Sequence, residues 1–261
     1  MTGEFFSFVT PMFNASKTLP RLFHSLLGQS YQNWRIILID DVSDEHEKIK
    51  EHEIISRFRN LAEPGLSENH FRSRIFTFWN DEKKWEVANV LFGISKCDDD
   101  DIICRIDADD SLCDLDALAM IASAYEQTKC DILWTQHRWG LSDKNISGPL
   151  NDNVSVYSQN WVTSHLKTFR KRLINNVPYE NFLNMNGELV RRAGDQAIFL
   201  PCLHRAEKRI FLPRVTYSYA IDEQGGAVYQ TADAKFQKEE AEFIRSRGYV
   251  RAGECWESRI S

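Results

Sequence analysis

The chain has 261 residues, of which 43% are apolar and 27% are charged, a composition typical of a globular protein with a sizeable core. Its formal charge of −6 argues against a nucleic-acid-binding protein, which would need a basic face. Six cysteines without a Cys-x-x-Cys pair predict reduced thiols. We find neither a signal peptide nor a transmembrane segment, so we expect a cytoplasmic protein with at most peripheral membrane contact.

The first half of the chain alternates short apolar segments, typical of buried strands, with amphipathic segments, typical of helices. The predicted strands are residues 5–10, 34–41, 74–79, 101–107 and 131–137. The predicted helices are residues 17–30, 47–61, 84–96 and 114–128, the last with Asp114 as its N-cap. This alternation predicts βαβ units and an α/β fold with a mostly parallel central sheet flanked by helices.

The pattern is less regular after about residue 140. The segment 140–158 predicts a polar loop with a short strand, and 214–221 alternates like a strand. The predicted helices are residues 161–177, 195–206 with an interruption near Pro201, and 233–248. The basic residues of the first of these helices are interpreted as a solvated face: Lys167, Arg170, Lys171 and Arg172.

Acidic residues follow two of the predicted strands. Asp40 and Asp41 end the second strand, and Asp107, Asp109 and Asp110 follow the fourth. Carboxyl ends of parallel strands share one edge of a sheet, and an extended chain would point Asp107 and Asp109 to one face. Such carboxylates suit Mg²⁺ or Mn²⁺, which take one or two of them and fill their other positions with water and phosphates. The alternative is a run of exposed acids beside a helix N-terminus.

Three segments in this order resemble family 2 glycosyltransferases of the GT-A fold. They are FSFVTPMFN, then LFHSLLGQSYQNWRIILIDDVSDE, and then IDADD at the place of the family's D-x-D motif. The resemblance covers residues 5 to about 116 and implies a mostly parallel central sheet flanked by helices. It also implies a single GT-A domain, 1–261. Its parts would be a Rossmann-like nucleotide-sugar-binding half (1–116), an acceptor-binding and catalytic half (117–230), and a C-terminal helix and tail (231–261).

The resemblance assigns the nucleoside end of the donor to the first two strand ends. Pro11 and Phe13 would line the base pocket, while Asn14 would fix the turn. Asp41 would accept a hydrogen bond from the base or ribose, and Asp40 would support that loop. From the residues alone, the two aspartates could equally cap the following loop, and Phe13 could belong to the core.

The resemblance assigns the diphosphate end to the fourth strand. Asp107 would contact the ribose or a metal-bound water, and Asp109 or Asp110 would ligate the Mn²⁺ or Mg²⁺ that bridges the diphosphate. Lys84, in the helix that usually flanks the nucleotide together with Trp85 and Asn89, is a candidate phosphate partner. The alternative for Lys84 is a solvated surface lysine.

Asp195 is the candidate catalytic base, with Glu188 in reserve. It precedes an apolar stretch, where it could equally be an N-cap. The family's usual Glu-Asp pair is replaced here by Gly194–Asp195. His165 is a candidate for closing over the diphosphate or holding the acceptor, against the alternative of a buried structural histidine. Aromatic residues near His137 are candidates for an acceptor groove.

The implied function is metal-dependent, inverting transfer of a sugar from a nucleotide-diphosphate sugar, with UDP the commonest nucleotide, to a hydroxyl of a glycan, lipid or protein acceptor. A nucleotidyltransferase would usually carry a glycine-rich phosphate loop after the first strand, and TPMFNASKTL contains no glycine. A non-catalytic nucleotide- or sugar-binding module is the second alternative.

Overall fold

The computed structural model describes residues 3–62, 73–140, 142, 145–220 and 232–254. Residue 221, the end of a predicted strand, lies outside these ranges, as do most of the predicted tail and Cys255. The five cysteines that are described are free thiols, as their spacing predicts.

The first half of the chain folds as alternating strands and helices. The strands are β1 (Phe6–Met12), β2 (Trp34–Asp40), β3 (Ile75–Trp79), β4 (Ile102–Arg105) and the short β5 (Ser111–Leu112). The helices are α1 (Leu19–Leu27), α2 (Glu45–Ala62), α3 (Trp85–Ser95) and α4 (Ala117–Thr128). These are the predicted elements with shifted ends, apart from β5, which the sequence did not indicate.

The second half adds the strands β6 (Ile132–Trp139), β7 (Lys167–Arg170) and β8 (Arg209–Tyr219), and the helices α5 (Gly194–Arg205) and α6 (Ala232–Arg247). The described strands form one sheet in the order β3-β2-β1-β4-β7-β6-β8-β5. Strands β1 to β4 pair in parallel, and β7 pairs antiparallel with both β4 and β6. The carboxyl ends of β1, β2 and β4 therefore open at one edge, where the acidic residues follow them.

Apolar side chains cover both faces of the sheet. On one face α1, α2 and α4 pack through residues such as Phe23, Phe58 and Ile121. On the other face α3, α5 and α6 pack through residues such as Val90, Phe199 and Ile244. Strands buried on both faces read as continuous apolar runs, which is why the sequence predicted them well.

The predicted helix over 161–177 is wrong. Residues 167–170 form β7, because their backbone fills the gap between β4 and β6, and tertiary pairing outweighs local helix propensity. The solvated basic face is wrong for the same reason: Lys167 is only 1% exposed. Three of the basic side chains form ion pairs across the fold: Arg170 with Glu4, Lys171 with Asp99, and Arg172 with Asp131.

Smaller differences concern element ends. Helix α5 runs through Pro201 without interruption, held by packing that buries most of its residues. Helix α4 begins later than predicted, with Asp116 at the N-cap position, while Asp114 accepts the backbone N–H of Asp116. In the loop after β6, the described residues contain only an isolated bridge between Trp139 and Ser142 where a short strand was predicted.

Close packing of α3 on the sheet predicts a large effect of a single methyl group. A Cβ at Gly93 would lie 2.5 Å from Val9 Cγ1 and 2.9 Å from Ile39 Cδ1. We expect Gly93→Ala to lower the free energy of unfolding by about 1–3 kcal/mol, measured by urea denaturation. Gly148→Ala is the matched control, because its nearest neighbour would be Val162 Cβ at 3.9 Å. Equal stabilities of the two variants would contradict this account of the packing.

Candidate functional site

The turns after β1 and β2 are fastened to each other. Asn14 has a φ of 51°, and its backbone N–H donates to Ser43 Oγ at 2.7 Å. Its side-chain amide donates to Asp44 at 2.9 Å. Asp40 accepts the backbone N–H of Ser43 at 3.1 and 3.2 Å, so it supports this loop. The turns after β1 and β2 thus form one hydrogen-bonded rim at the carboxyl edge of the sheet.

The aromatic ring after β1 faces solvent. Phe13 is 50% exposed, so it does not belong to the core. The Lys83 ammonium group lies 4.0 Å from the centroid of its ring, in the range of a cation–π interaction. Pro11 lies near the end of β1 and is half-buried. An exposed ring at this rim offers a stacking face for a planar group.

Asp41 caps helix α3. Its Oδ1 accepts the backbone N–H of Lys84 at 2.7 Å, and its Oδ2 accepts that of Trp85 at 3.1 Å. The Lys84 side chain is about half exposed and lies 4.0 Å from Glu82. Asn89 is buried and accepts the Asn80 amide at 2.8 Å. Asp41 therefore orients α3, and a carboxylate oxygen can still accept a second hydrogen bond.

The acidic cluster after β4 lies in a turn rather than in a continued strand. Strand β4 ends at Arg105, and the Asp110 N–H donates to the carbonyl of Asp107 at 3.1 Å. The expected extended alternation of Asp107 and Asp109 is therefore wrong. Asp109 is exposed, whereas the Asp107 side chain is 39% exposed.

The carboxylate of Asp110 is buried and occupied. It accepts the hydroxyl of Tyr217 at 2.5 Å and the backbone N–H of Ala220 at 2.7 Å. Burial raises the pKa of Asp110 well above its usual range, and the charges of Asp107 and Asp109 act in the same direction. These contacts tie the acidic turn to β8, across the sheet.

The donor set at this turn fits a hard divalent cation. In the part of the chain that the structure describes, no three His, Cys, Asp or Glu side chains lie close enough to form a metal site by themselves. Asp107 and Asp109 nevertheless present carboxylate oxygens toward solvent, and Mg²⁺ or Mn²⁺ needs only one or two of these beside phosphate and water. A cation bound at this turn would have to take its remaining ligands from water or from a bound molecule.

A buried arginine lies beneath this turn. Arg105 is 4% exposed, and its Nη2 is 2.8 Å from Glu86 Oε1 and 2.9 Å from Asp107 Oδ1. Burial acts to lower the pKa of Arg105, but the charges of Asp107, Glu86 and Asp195 raise it well above its usual range. Burial raises the pKa of Glu86 to about 7. The charges of Asp195 and Asp107 also raise this pKa, whereas the charge of Arg105 lowers it.

Asp195 lies in the first turn of α5, next to a lysine and a histidine. Its Oδ2 is 2.8 Å from Lys167 Nζ and 3.8 Å from His165 Nε2. Burial acts to raise the pKa of Asp195, but Lys167, His165 and Arg105 hold it well below its usual range. Glu188, the reserve candidate, is exposed and pairs with Arg191 at 2.9 Å.

His165 is a buried, neutral histidine. Its ring stacks on Tyr217 at a centroid distance of 4.6 Å, and Lys167 Nζ lies 3.2 Å from its Nδ1. Burial lowers the pKa of His165 to about 3, and the charge of Lys167 adds to this. Because Nδ1 accepts from lysine, the ring proton is on Nε2, the nitrogen that faces Asp195.

A cavity of about 200 Å³ opens beside Asp195 and His165. His137 also lines it, and burial lowers the pKa of His137 to about 4. Aromatic side chains form much of the remaining wall: Trp139, Trp161 and Tyr219. Of the aromatic residues expected near His137, Trp139 lines this cavity, whereas the Trp134 indole N–H donates to Gly148 at 2.9 Å and its ring is buried.

Sequence reasoning missed Glu86, Arg105 and Tyr217 as members of this site, and it placed Lys167 on a solvated face instead. Arg105 gave a signal, because a charged residue inside an apolar strand needs a buried counter-charge. Lys167 gave none, since its burial depends on the pairing of β7. The structure brings Asp107 and Asp195 into one charged network with neutral His165 beside Asp195, while Phe13, Asn14 and Asp41 form the rim beside it.

Comparison with known proteins agrees with this fold. The model of glycosyl transferase family 2 matches residues 7–182. That is more than half of the chain, and the protein belongs to glycosyl transferase family 2. Comparison with curated protein sequences finds no match.

Solved glycosyltransferase structures share the fold. S. aureus TarS matches with a TM-score of 0.63 and 15% identity, over 95% of this chain and 44% of TarS. S. aureus TarS 1-349 in complex with UDP-GlcNAc matches with a TM-score of 0.62 and 16% identity, over 86% of this chain and 61% of that one. The mannosyltransferase PcManGT from Pyrobaculum calidifontis, in complex with GDP-Man and Mn²⁺, matches with a TM-score of 0.54 and 10% identity. The match covers 86% of this chain and 59% of PcManGT. This chain spans less than two thirds of these proteins, and the likeness confirms the expected GT-A fold.

None of the described helices is both long and apolar enough for a membrane span.

The contact between Asp110 and Tyr217 predicts a stability effect. Removing the hydroxyl leaves a buried carboxyl without one of its two donors. We expect Tyr217→Phe to lower the free energy of unfolding by about 1–3 kcal/mol. Tyr179→Phe, at a ring that is 58% exposed, is the matched control. Chemical denaturation of both variants is the measurement, and an unchanged midpoint for Tyr217→Phe would contradict the assigned bond.

Proposed function

We propose that the protein is a metal-dependent, inverting glycosyltransferase that moves a sugar from a nucleotide-diphosphate sugar to an acceptor hydroxyl. The observation that carries this proposal is the position of Asp195. Its ionised carboxylate lies at a cavity, and its charge interacts with Arg105, the same guanidinium that holds Asp107 after β4. A base and a donor-binding turn therefore share one buried countercharge.

In this proposal the rim binds the nucleoside. Phe13 stacks on the base through its exposed ring, beside Pro11 and above the turn that Asn14 fixes. Asp41 accepts a hydrogen bond from the base or ribose while it caps α3. The Lys83 ammonium group lies over the Phe13 ring, whereas Lys84 lies 4.0 Å from Glu82. Lys83 is therefore a candidate phosphate partner alongside Lys84.

Asp107 and Asp109 form the metal-binding side of the donor site. The contacts of Asp110 with Tyr217 and Ala220 favour Asp109 over Asp110 as the direct ligand. A bound Mn²⁺ or Mg²⁺ would neutralise charge on the leaving diphosphate as a Lewis acid. The similar PcManGT was solved with Mn²⁺ and a nucleotide sugar, which supports this choice of cofactor.

The acceptor binds at the aromatic cavity and reacts at Asp195. The acceptor oxygen forms a bond to the anomeric carbon as the bond from that carbon to the diphosphate breaks. The acceptor's proton passes to Asp195 Oδ1, because Oδ2 is held by Lys167. Neutral His165 lies beside Asp195, with Nε2 3.8 Å from Oδ2, and lines the same cavity. One displacement at the anomeric carbon inverts its configuration.

Donor binding is tested by thermal shift with UDP or GDP, with and without Mn²⁺. We expect Asp109→Ala to abolish the Mn²⁺-dependent part of the shift, because this variant lacks the exposed carboxylate of the turn. Asp100→Ala, at another exposed aspartate, should behave like the wild type. A full Mn²⁺-dependent shift in Asp109→Ala would refute the metal assignment.

Catalysis is tested by the release of nucleoside diphosphate from a panel of nucleotide sugars, with and without simple glycoside acceptors. We expect Asp195→Asn to retain the UDP or GDP shift and to lose roughly 10²–10⁴-fold in turnover. Wild-type turnover in the Asp195→Asn variant would overturn the base assignment. Binding without turnover by the wild-type protein on every donor would favour the non-catalytic module.

A further inference from the structure

Among the carboxylates around Arg105, Asp107 and Asp195 have roles in the proposed function and Glu86 has none. It lies in the first turn of α3, whereas Arg105 ends β4 and Asp195 begins α5. Its side chain is 28% exposed, similar to the 31% of Asp195. Its Oε1 lies 2.8 Å from the buried Arg105, the guanidinium whose charge also acts on Asp195.

The carboxylate of Glu86 occupies the space beside residue 194. A Cβ added to Gly194 would lie well inside van der Waals contact of Glu86 Cδ and Oε2, and 2.8 Å from Oε1. The backbone of Gly194 does not need glycine, because its φ lies outside the left-handed region. Glycine is required at 194 because the Glu86 carboxylate fills the space that a side chain there would occupy.

We propose that Glu86 is a positioning residue that supplies, from α3, the carboxylate next to Asp195 that the Gly194–Asp195 pair lacks. Glu86 contacts Arg105 on one side and the Gly194 backbone on the other. It thereby fixes the start of α5 relative to the arginine that holds Asp107. This inference rests on the proposed function, since it describes the centre in which Asp195 acts as base.

The charge of Glu86 has a second effect on the same centre. Lys167 and Arg105 both reduce the basicity of Asp195. When its carboxyl group, whose pKa burial raises to about 7, is ionised, Glu86 is a countercharge for Arg105 and offsets part of that reduction. Without it, Arg105 interacts more strongly with Asp195, which becomes a weaker base. The consequence falls on the transfer step rather than on donor binding, which depends on the rim and the acidic turn.

The first experiment measures contact between Glu86 and position 194 without using activity. Stabilities of wild type, Gly194→Ala, Glu86→Ala and the double variant are compared by urea denaturation. We expect Gly194→Ala to destabilise the wild type and to cost much less in the Glu86→Ala background, because the carboxylate that the new methyl group meets has gone. Additive effects would overturn the assigned contact, whatever the activity.

The second experiment measures nucleoside diphosphate release. We expect Glu86→Gln to lower kcat about 10- to 100-fold while KM for the donor and the UDP or GDP shift stay within about twofold, because the base rather than the donor is misplaced. Glu126→Gln, an exposed glutamate on α4, is the control and should not change kcat. Wild-type kcat in Glu86→Gln, or an equal loss of donor binding, would refute the positioning role.

The third comparison moves the carboxylate. We expect Glu86→Ala/Gly194→Asp to regain part of the kcat lost in Glu86→Ala, because it returns a negative charge to the same space. Glu86→Ala/Gly194→Asn is its uncharged control and should not recover. No recovery in the charged variant, when both double variants are folded, would contradict the charge role. If the wild-type protein released no nucleoside diphosphate, the proposed function itself would be overturned. That result differs from failure of the Glu86 proposal, in which the wild type is active and the variants do not behave as expected.

Discussion

One buried guanidinium, that of Arg105, organises the charged centre. Its position at the end of β4 puts it under the acidic turn, and it also interacts with residues of α3 and α5. A buried cation without partners would be strongly destabilising, so the carboxylates around it are part of the fold as well as of the site. Their mutual repulsion is tolerated because this cation lies between them.

Much of the first half could be predicted from the sequence. Strands β1, β2 and β4 are buried on both faces, so each appears as a continuous apolar run ending in polar residues. The position of the acidic turn at the open edge of the sheet follows from this pattern. The ordered motifs then indicated the family, which the match over residues 7–182 confirms.

The rest depends on contacts between distant parts of the chain. The strand β7 has a sequence that resembles a helix, and only its two neighbours in the sheet make it extended. Burial of Lys167 follows from that pairing. Likewise, Gly194 looks like a flexible residue before a helix until Glu86, more than a hundred residues earlier, is found against it. Local pattern contains no information on such pairs.

The strand β7 has a mechanical consequence. It joins the parallel strands of the first half to the strands of the second half by hydrogen bonds on both its edges. Among the described strands, the two halves therefore cannot swing apart as rigid bodies without breaking these ladders. The sheet therefore holds the acidic turn after β4 and the start of α5, which packs on it, at a constant spacing.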